Sequence, residues 1–172
     1  MKNTKKIFLV LLAMLAAFTL ASCKAADDDD DKKSSVTTVA TFYGMGKETG
    51  SYEGAEVLFT ANIKATFYSN KEYKIDATIN AIVSGNSNEK LISQDGTIEI
   101  GTYTGDPTKN GQIKTTATKE YDDKSEKLVA VKTKKTDSVE IRDGGKIEID
   151  LNSDGEFNDF GITSFDITLK RQ

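Results

Sequence analysis

The chain has no histidine, no tryptophan, one cysteine and one proline in 172 residues. Each shortage removes a class of function. Without histidine, the familiar nucleophile–base triads and imidazole-held zinc centres are excluded. A lone cysteine, Cys23, allows no internal disulfide. Positive charge is also in deficit, with 23 Lys and Arg against 27 Asp and Glu. The clustered basic surface that nucleic acid requires is therefore missing. Long apolar runs are absent too, except at the N-terminus.

That N-terminus carries a plain signal. Lys2, Lys5 and Lys6 precede Ile7–Leu20, which is apolar apart from Thr19. As a helix the run would reach roughly 21 Å, short of a hydrocarbon core of about 30 Å. A basic start, a short apolar run and small residues after it read as an export signal. The run ends in Leu20-Ala21-Ser22-Cys23, which resembles the lipobox of bacterial lipoproteins. The resemblance implies cleavage before Cys23 and a diacylglyceryl group on its sulfur. Chain burial at about 0.8 kcal/mol per CH₂ makes two or more acyl chains a stable anchor. The expected organisation is a signal peptide over 1–22, a lipidated cysteine and acidic tether over 23–35, and one folded domain over 36–172. Asp27–Asp31 are five carboxylates in a row, and their repulsion favours an extended spacer. Removing 1–22 lowers Lys plus Arg to 20 and leaves the 27 acids, a net charge of −7. The expected location is the bacterial cell envelope, at the outer membrane or the periplasmic face of the inner one. The membrane, reached through Cys23, is the expected partner.

Beyond Ser35 the residues alternate with period two, the mark of half-buried strands. Val57, Phe59, Ala61, Ile63, Ala65 and Phe67 interleave with Leu58, Thr60, Asn62, Lys64, Thr66 and Tyr68. After Ser69–Glu72 the pattern resumes with Tyr73, Ile75, Ala77, Ile79, Ala81 and Val83 on one face. This predicts a long hairpin. Further strands are expected at 97–104, 112–118, 127–132, 138–142, 146–151 and 163–169. An earlier strand over Val36–Tyr43 is expected to end in the glycine-rich 44–54. Turn chemistry falls at 84–88, Asp95-Gly96, 105–111 and Asp143-Gly144-Gly145. Roughly nine strands with short connections predict an all-β fold, an up-and-down antiparallel β-barrel of about 8–10 strands, with a β-sandwich as the alternative.

Three segments, GTYTGDPTKNGQIKTTATK (101–119), DGGKIEIDL (143–151) and FDITLKR (165–171), are similar to the small lipocalin-like lipoproteins of spirochaete-type bacteria. The resemblance implies a lipocalin-like barrel holding a small apolar or amphipathic molecule, its ligand-binding residues unknown. The other functional class is a surface or periplasmic interaction lipoprotein with no ligand cavity. The two differ in whether the inner faces of 57–67 and 73–83 line a cavity or fill it.

One internal motif could carry chemistry. In DLNSDGEFNDFG, Asp150, Asn152, Asp154 and Gly155 match the opening of a calcium loop, with Glu156 offering a carbonyl and Asn158 a further oxygen. Oxygens at alternate positions of a tight loop converge on one point, and the glycine permits the turn. The twelfth position, where a bidentate Glu closes the shell, is Gly161. The alternative is a polar hairpin with Asp154-Gly155 as its turn. Neither a phosphate-cradling glycine loop nor a nucleophile element is present, so an enzyme is not expected. Calcium is the one cofactor that the motif suggests.

Overall fold

A computed structural model describes residues 35–84, 90–122, 125, 127–153, 155 and 157–172. The signal-peptide segment 1–22, Cys23, the tether up to Ser34 and the Gly85–Asn88 part of the predicted turn lie outside the described residues. Nine strands form one antiparallel sheet: β1 (Thr38–Tyr52), β2 (Ala55–Tyr68), β3 (Glu72–Val83), β4 (Lys90–Thr104), β5 (Gly111–Asp122), β6 (Lys127–Ala130), β7 (Thr136–Ile141), β8 (Lys146–Asp150) and β9 (Asp166–Arg171). A single 3₁₀ turn, Asn158–Phe160, is the helical element among the described residues. The strand order is β6-β5-β4-β3-β2-β1-β9-β8, and β7 pairs with β5 beside β6.

The predicted hairpin is present with its predicted faces. Val57 pairs with Val83, Ala61 with Ile79, Ile63 with Ala77 and Phe67 with Tyr73. Val57, Phe59, Ala61, Ile63, Ala65 and Phe67 are buried, as are Tyr73, Ala77, Ile79 and Ala81. In the connection, Lys71 takes a left-handed φ of 64° and its N–H donates to the Tyr68 carbonyl. Gly144 and Gly145, with φ of 78° and 68°, turn β7 into β8 as expected.

One apolar cluster draws on β1–β5, on β7–β9 and on the 157–165 segment. A single sheet that buries one face along almost its whole width must curl around that face. The sheet is nonetheless not closed. Its two ends meet at one bridge, Arg142 to Lys146, within the β7–β8 turn. The architecture is all-β, an unclosed sheet of nine antiparallel strands that fits a sandwich or an open barrel-like fold. The buried apolar residues of the described chain fall between Ala40 and Leu169.

Two expectations need correction. The glycine-rich 44–54 does not end a strand, because β1 continues through it to Tyr52. The reason lies at the other end of the chain. β9 pairs with β1 only at Phe42–Arg171 and Tyr43–Lys170, then runs across the inner face of β1. A Cβ on Gly44 would lie 2.5 Å from the Thr168 carbonyl oxygen, and one on Gly46 would lie 2.6 Å from Ile167 Cγ1. One on Gly50 would meet the Phe160 carbonyl oxygen at 2.5 Å. These glycines form a lane that lets a second layer of backbone approach, the use of strand glycine that local turn rules overlook. Likewise, Asp95-Gly96 does not break the chain. β4 starts at Lys90 and passes through Gly96 with φ of 140°. Register shifts between Ile75 and Asp76, opposite Glu99 and Thr97, and this bulge absorbs the irregularity.

Candidate functional site: the inner face, the 150–162 loop and an outer groove

The inner face is occupied by rings. Phe59 meets Phe157 and Phe160 edge-on, with centroids 5.3 and 5.0 Å apart. Phe157 meets Phe165 at 6.0 Å, and Tyr52 covers Phe160 at 5.6 Å. Toward the other end, Phe67 is edge-on to both Phe42, at 5.7 Å, and Tyr103, at 5.0 Å. The Tyr103 hydroxyl donates to the Tyr68 carbonyl at 2.9 Å, which satisfies the polar end of a buried ring. The predicted inner face of β2 thus packs against other rings of the protein at two places, Phe59 and Phe67.

Beside these rings sits a carboxylate, Glu99. It accepts a hydrogen bond from the Tyr73 hydroxyl. Glu120 is its register partner across β4–β5, and Asp137 pairs with Thr115 across β5–β7. Burial raises the Glu99 carboxyl above its ordinary value, the Tyr73 hydroxyl opposes this, and Glu120 and Asp137 add to the rise. The Tyr73 phenol is raised as well, first by burial and then by Glu99. Nothing in the sequence pattern marked Glu99. Its inward orientation follows from its register opposite Ile75, in phase with Gly101 opposite Tyr73.

Of the proposed calcium ligands, three are described, and Asp154 and Glu156 lie outside the described residues. Asn152 is 4% exposed. Its Oδ1 accepts from the Phe157 N–H at 2.7 Å, and its Nδ2 donates to Asn158 Oδ1 at 3.0 Å and to the Ile162 carbonyl at 2.8 Å. Asp150 Oδ1 accepts from the Asn152 and Phe165 N–H groups, each at 2.8 Å. Through these bonds the polar residues of the motif fold the loop and drive Phe157, Phe160, Ile162 and Phe165 into the core. Among the described residues, no group of three His, Cys, Asp or Glu could hold a metal ion.

A hollow of about 370 Å³ opens on the outside of the sheet, across β1 to β4. Register places its side chains in two cross-strand rows. One is Tyr43–Lys64–Asp76–Thr97, and the other is Asn62–Thr78–Asp95, whose register neighbour on β1, Met45, lies outside the hollow. Within the rows, Thr78 Oγ1 donates to Asp95 at 2.6 Å, and Thr97 Oγ1 donates to Asp76 at 2.7 Å. The Tyr43 hydroxyl donates to Asn62 Oδ1 at 3.2 Å, and Lys74 pairs with Asp76 at 2.9 Å. Tyr43 is 39% exposed and Met45 65%. The sequence placed Asn62, Lys64, Lys74, Asp76 and Thr78 on the faces opposite the buried ones of the predicted hairpin, and assigned no such face to Tyr43, Met45, Asp95 or Thr97. It did not show that a groove joins them.

A second hollow, of about 540 Å³, lies beside the β7–β8 turn, between Asn110, Glu140, Arg142 and Glu148. There Arg142 is held by both Glu140 and Glu148. Among the described residues no helix is long and apolar enough to cross a membrane. No protein-family model, curated protein or solved structure matches the chain.

Proposed function

We propose that the chain is a lipid-anchored protein of the bacterial cell envelope whose β-domain works through its outer surface, as an interaction module. The anchor rests on Leu20-Ala21-Ser22-Cys23 and the basic, apolar segment before it. The outward mode of action rests on one observation above all: Phe157 and Phe160 pack on the inner face against Phe59, and Phe165 packs against Phe157. A lipophilic guest between the sheet faces would have to displace these rings. Exposing a ring of this size forfeits roughly 1.5–3 kcal/mol, a cost that an outer-surface partner avoids. Net negative charge argues against nucleic acid as the partner.

Native mass spectrometry of the protein extracted from producing membranes tests both halves. The expected spectrum shows a diacylglyceryl-type mass increment that disappears in Cys23→Ser, and no stoichiometric non-covalent lipid. An unmodified Cys23 at the mature N-terminus removes the anchor. A lipid that stays bound to the Cys23→Ser protein at one per chain restores the interior-ligand reading and overturns the outward one.

A further inference from the structure

We infer that the outer groove across β1–β4 is a binding site for a saccharide chain. The inference rests on the outer surface being the working face. It goes further by naming a place and a ligand class.

Three strand spacings of about 4.8 Å make the groove roughly 14 Å long, enough for a short run of sugar units. The backbone N–H and C=O groups beneath it are spent in the ladders joining β1, β2, β3 and β4. Recognition here must therefore come from side chains, and an added peptide strand has no edge to join. The side chains present suit hydroxyl groups. Thr78 with Asp95, and Thr97 with Asp76, each hold a hydroxyl and a carboxylate side by side at hydrogen-bond distance. A carboxylate is an acceptor with about four lone-pair sites, and a threonine hydroxyl has two, so both pairs retain capacity for a diol. Asn62 and Lys64 add donors from the neighbouring strand.

Tyr43 forms the end of the first row with its ring partly open. A ring face flanked by polar groups offers the C–H side of a pyranose an apolar surface and keeps its own hydroxyl wet. Charge selects among ligands as well. Lys64 and Lys74 balance Asp76 and Asp95, so the groove has little net charge and favours a neutral polyol over an ion. The bulge at Ile75–Asp76 and the left-handed Gly96 lie at its floor. Bulges recur beside binding sites because they re-aim the side chains around them.

The test is an amide-resolved NMR titration of residues 24–172 with cellotetraose and, separately, chitotetraose, each to about 10 mM, where a Kd near 1 mM corresponds to about −4.1 kcal/mol. Shifts are expected at Tyr43, Asn62, Thr78, Asp95 and Thr97 with at least one of the two sugars. Tyr43→Ala and Asp95→Asn should each weaken binding at least tenfold. Val129→Ala, on the exposed part of β6, should leave it unchanged. Because Tyr43 is exposed, its variant keeps the fold, and the unshifted part of the spectrum checks this. If neither sugar moves these resonances, or if Tyr43→Ala binds as tightly as the parent, the saccharide assignment is wrong. If the groove then cross-links to an envelope protein instead, the ligand class falls and the outward-acting module stands. A lipid retained inside the Cys23→Ser protein would remove the module reading itself, whatever the sugars do.

Discussion

Glycine to alanine in the middle of a strand ordinarily helps, because it relieves about 0.5–1 kcal/mol of backbone entropy cost. In β1 the sign should reverse. At Gly46 the added methyl would stand 2.6 Å from Ile167 Cγ1 and 2.9 Å from both Ile167 Cδ1 and Phe165 Cε2. Carbon atoms prefer about 3.5–4.0 Å, so β9 must retreat by most of an ångström or the side chains must leave their rotamers. Overpacking of this kind costs about 1–3 kcal/mol, which leaves a net loss of up to about 2.5 kcal/mol after the entropy gain. Gly44→Ala should be worse, because its nearest obstacle is backbone: the Thr168 carbonyl oxygen at 2.5 Å and the carbonyl carbon at 3.0 Å. We expect Gly44→Ala to approach the upper end of that range. For a domain of this size, roughly 3–5 °C of Tm is lost per kcal/mol, so Gly44→Ala should melt roughly 10 °C below the parent. Urea denaturation of residues 24–172, followed by circular dichroism, gives both free energies. A double-mutant cycle then isolates the contact. Ile167→Ala removes the two atoms nearest the new methyl, so Gly46→Ala should cost markedly less in that background. If Gly44→Ala and Gly46→Ala leave Tm unchanged or raise it, β9 does not cross the β1 glycines, and the description of the core is wrong.

Three further outcomes follow from the same coordinates. Asn152→Ala strips three hydrogen bonds from a buried position and leaves the Phe157 N–H and the Ile162 carbonyl without partners; at about 1–3 kcal/mol per orphaned group, it should destabilise more than Asp159→Ala on the exposed side of the same turn, and equal effects would count against the polar staple. Glu99 has a folded-state pKa raised above its unfolded value, chiefly by burial, so its favourable contribution is complete below the unfolded pKa and is lost as pH rises through the folded one. Glu99→Gln should therefore stabilise the domain at pH 7, have little effect near pH 4, and flatten stability between them; a variant less stable at pH 7 would refute this. Asp106 has its pKa lowered to about 2 by the Thr108 hydroxyl and N–H and by Lys109. Its support of the 105–111 turn should be present above the ordinary aspartate value and fade as pH falls through about 2, so a carboxyl-carbon NMR titration with a midpoint near 4 would contradict the geometry.

Much of the β2–β3 unit could be read from the residue order. Val57 to Phe67 and Tyr73 to Val83 alternate strictly, and alternation names the buried face because successive side chains point to opposite sides of a strand. The turns at 69–72 and 143–145 were legible for a similar reason, since glycine and polar residues announce left-handed backbone locally. Asp150 and Asn152 stood out in the sequence as oxygen donors of a calcium-loop motif. Their observed bonds are to N–H and carbonyl groups as far on as Ile162 and Phe165, beyond the reach of a spacing rule.

Local order thus determined most of the strands, though not the reach of β1 and β4 through their glycines, together with which side of β2 and β3 faces inward and that a lipobox-like cysteine stands ahead of the strands. Tertiary structure alone decided what lies against each face. Gly44, Gly46 and Gly50 are spacers only because residues 160–169 arrive from more than a hundred positions away to cover them. Glu99 is half-buried only because β4 pairs it with Ile75 and brings it to the Tyr73 hydroxyl, and the groove exists only where four strands set their outer residues in rows. A period of two records that a side is covered. The identity of the cover is a long-range contact, chosen by how the whole sheet curls, and no stretch of neighbouring residues encodes it.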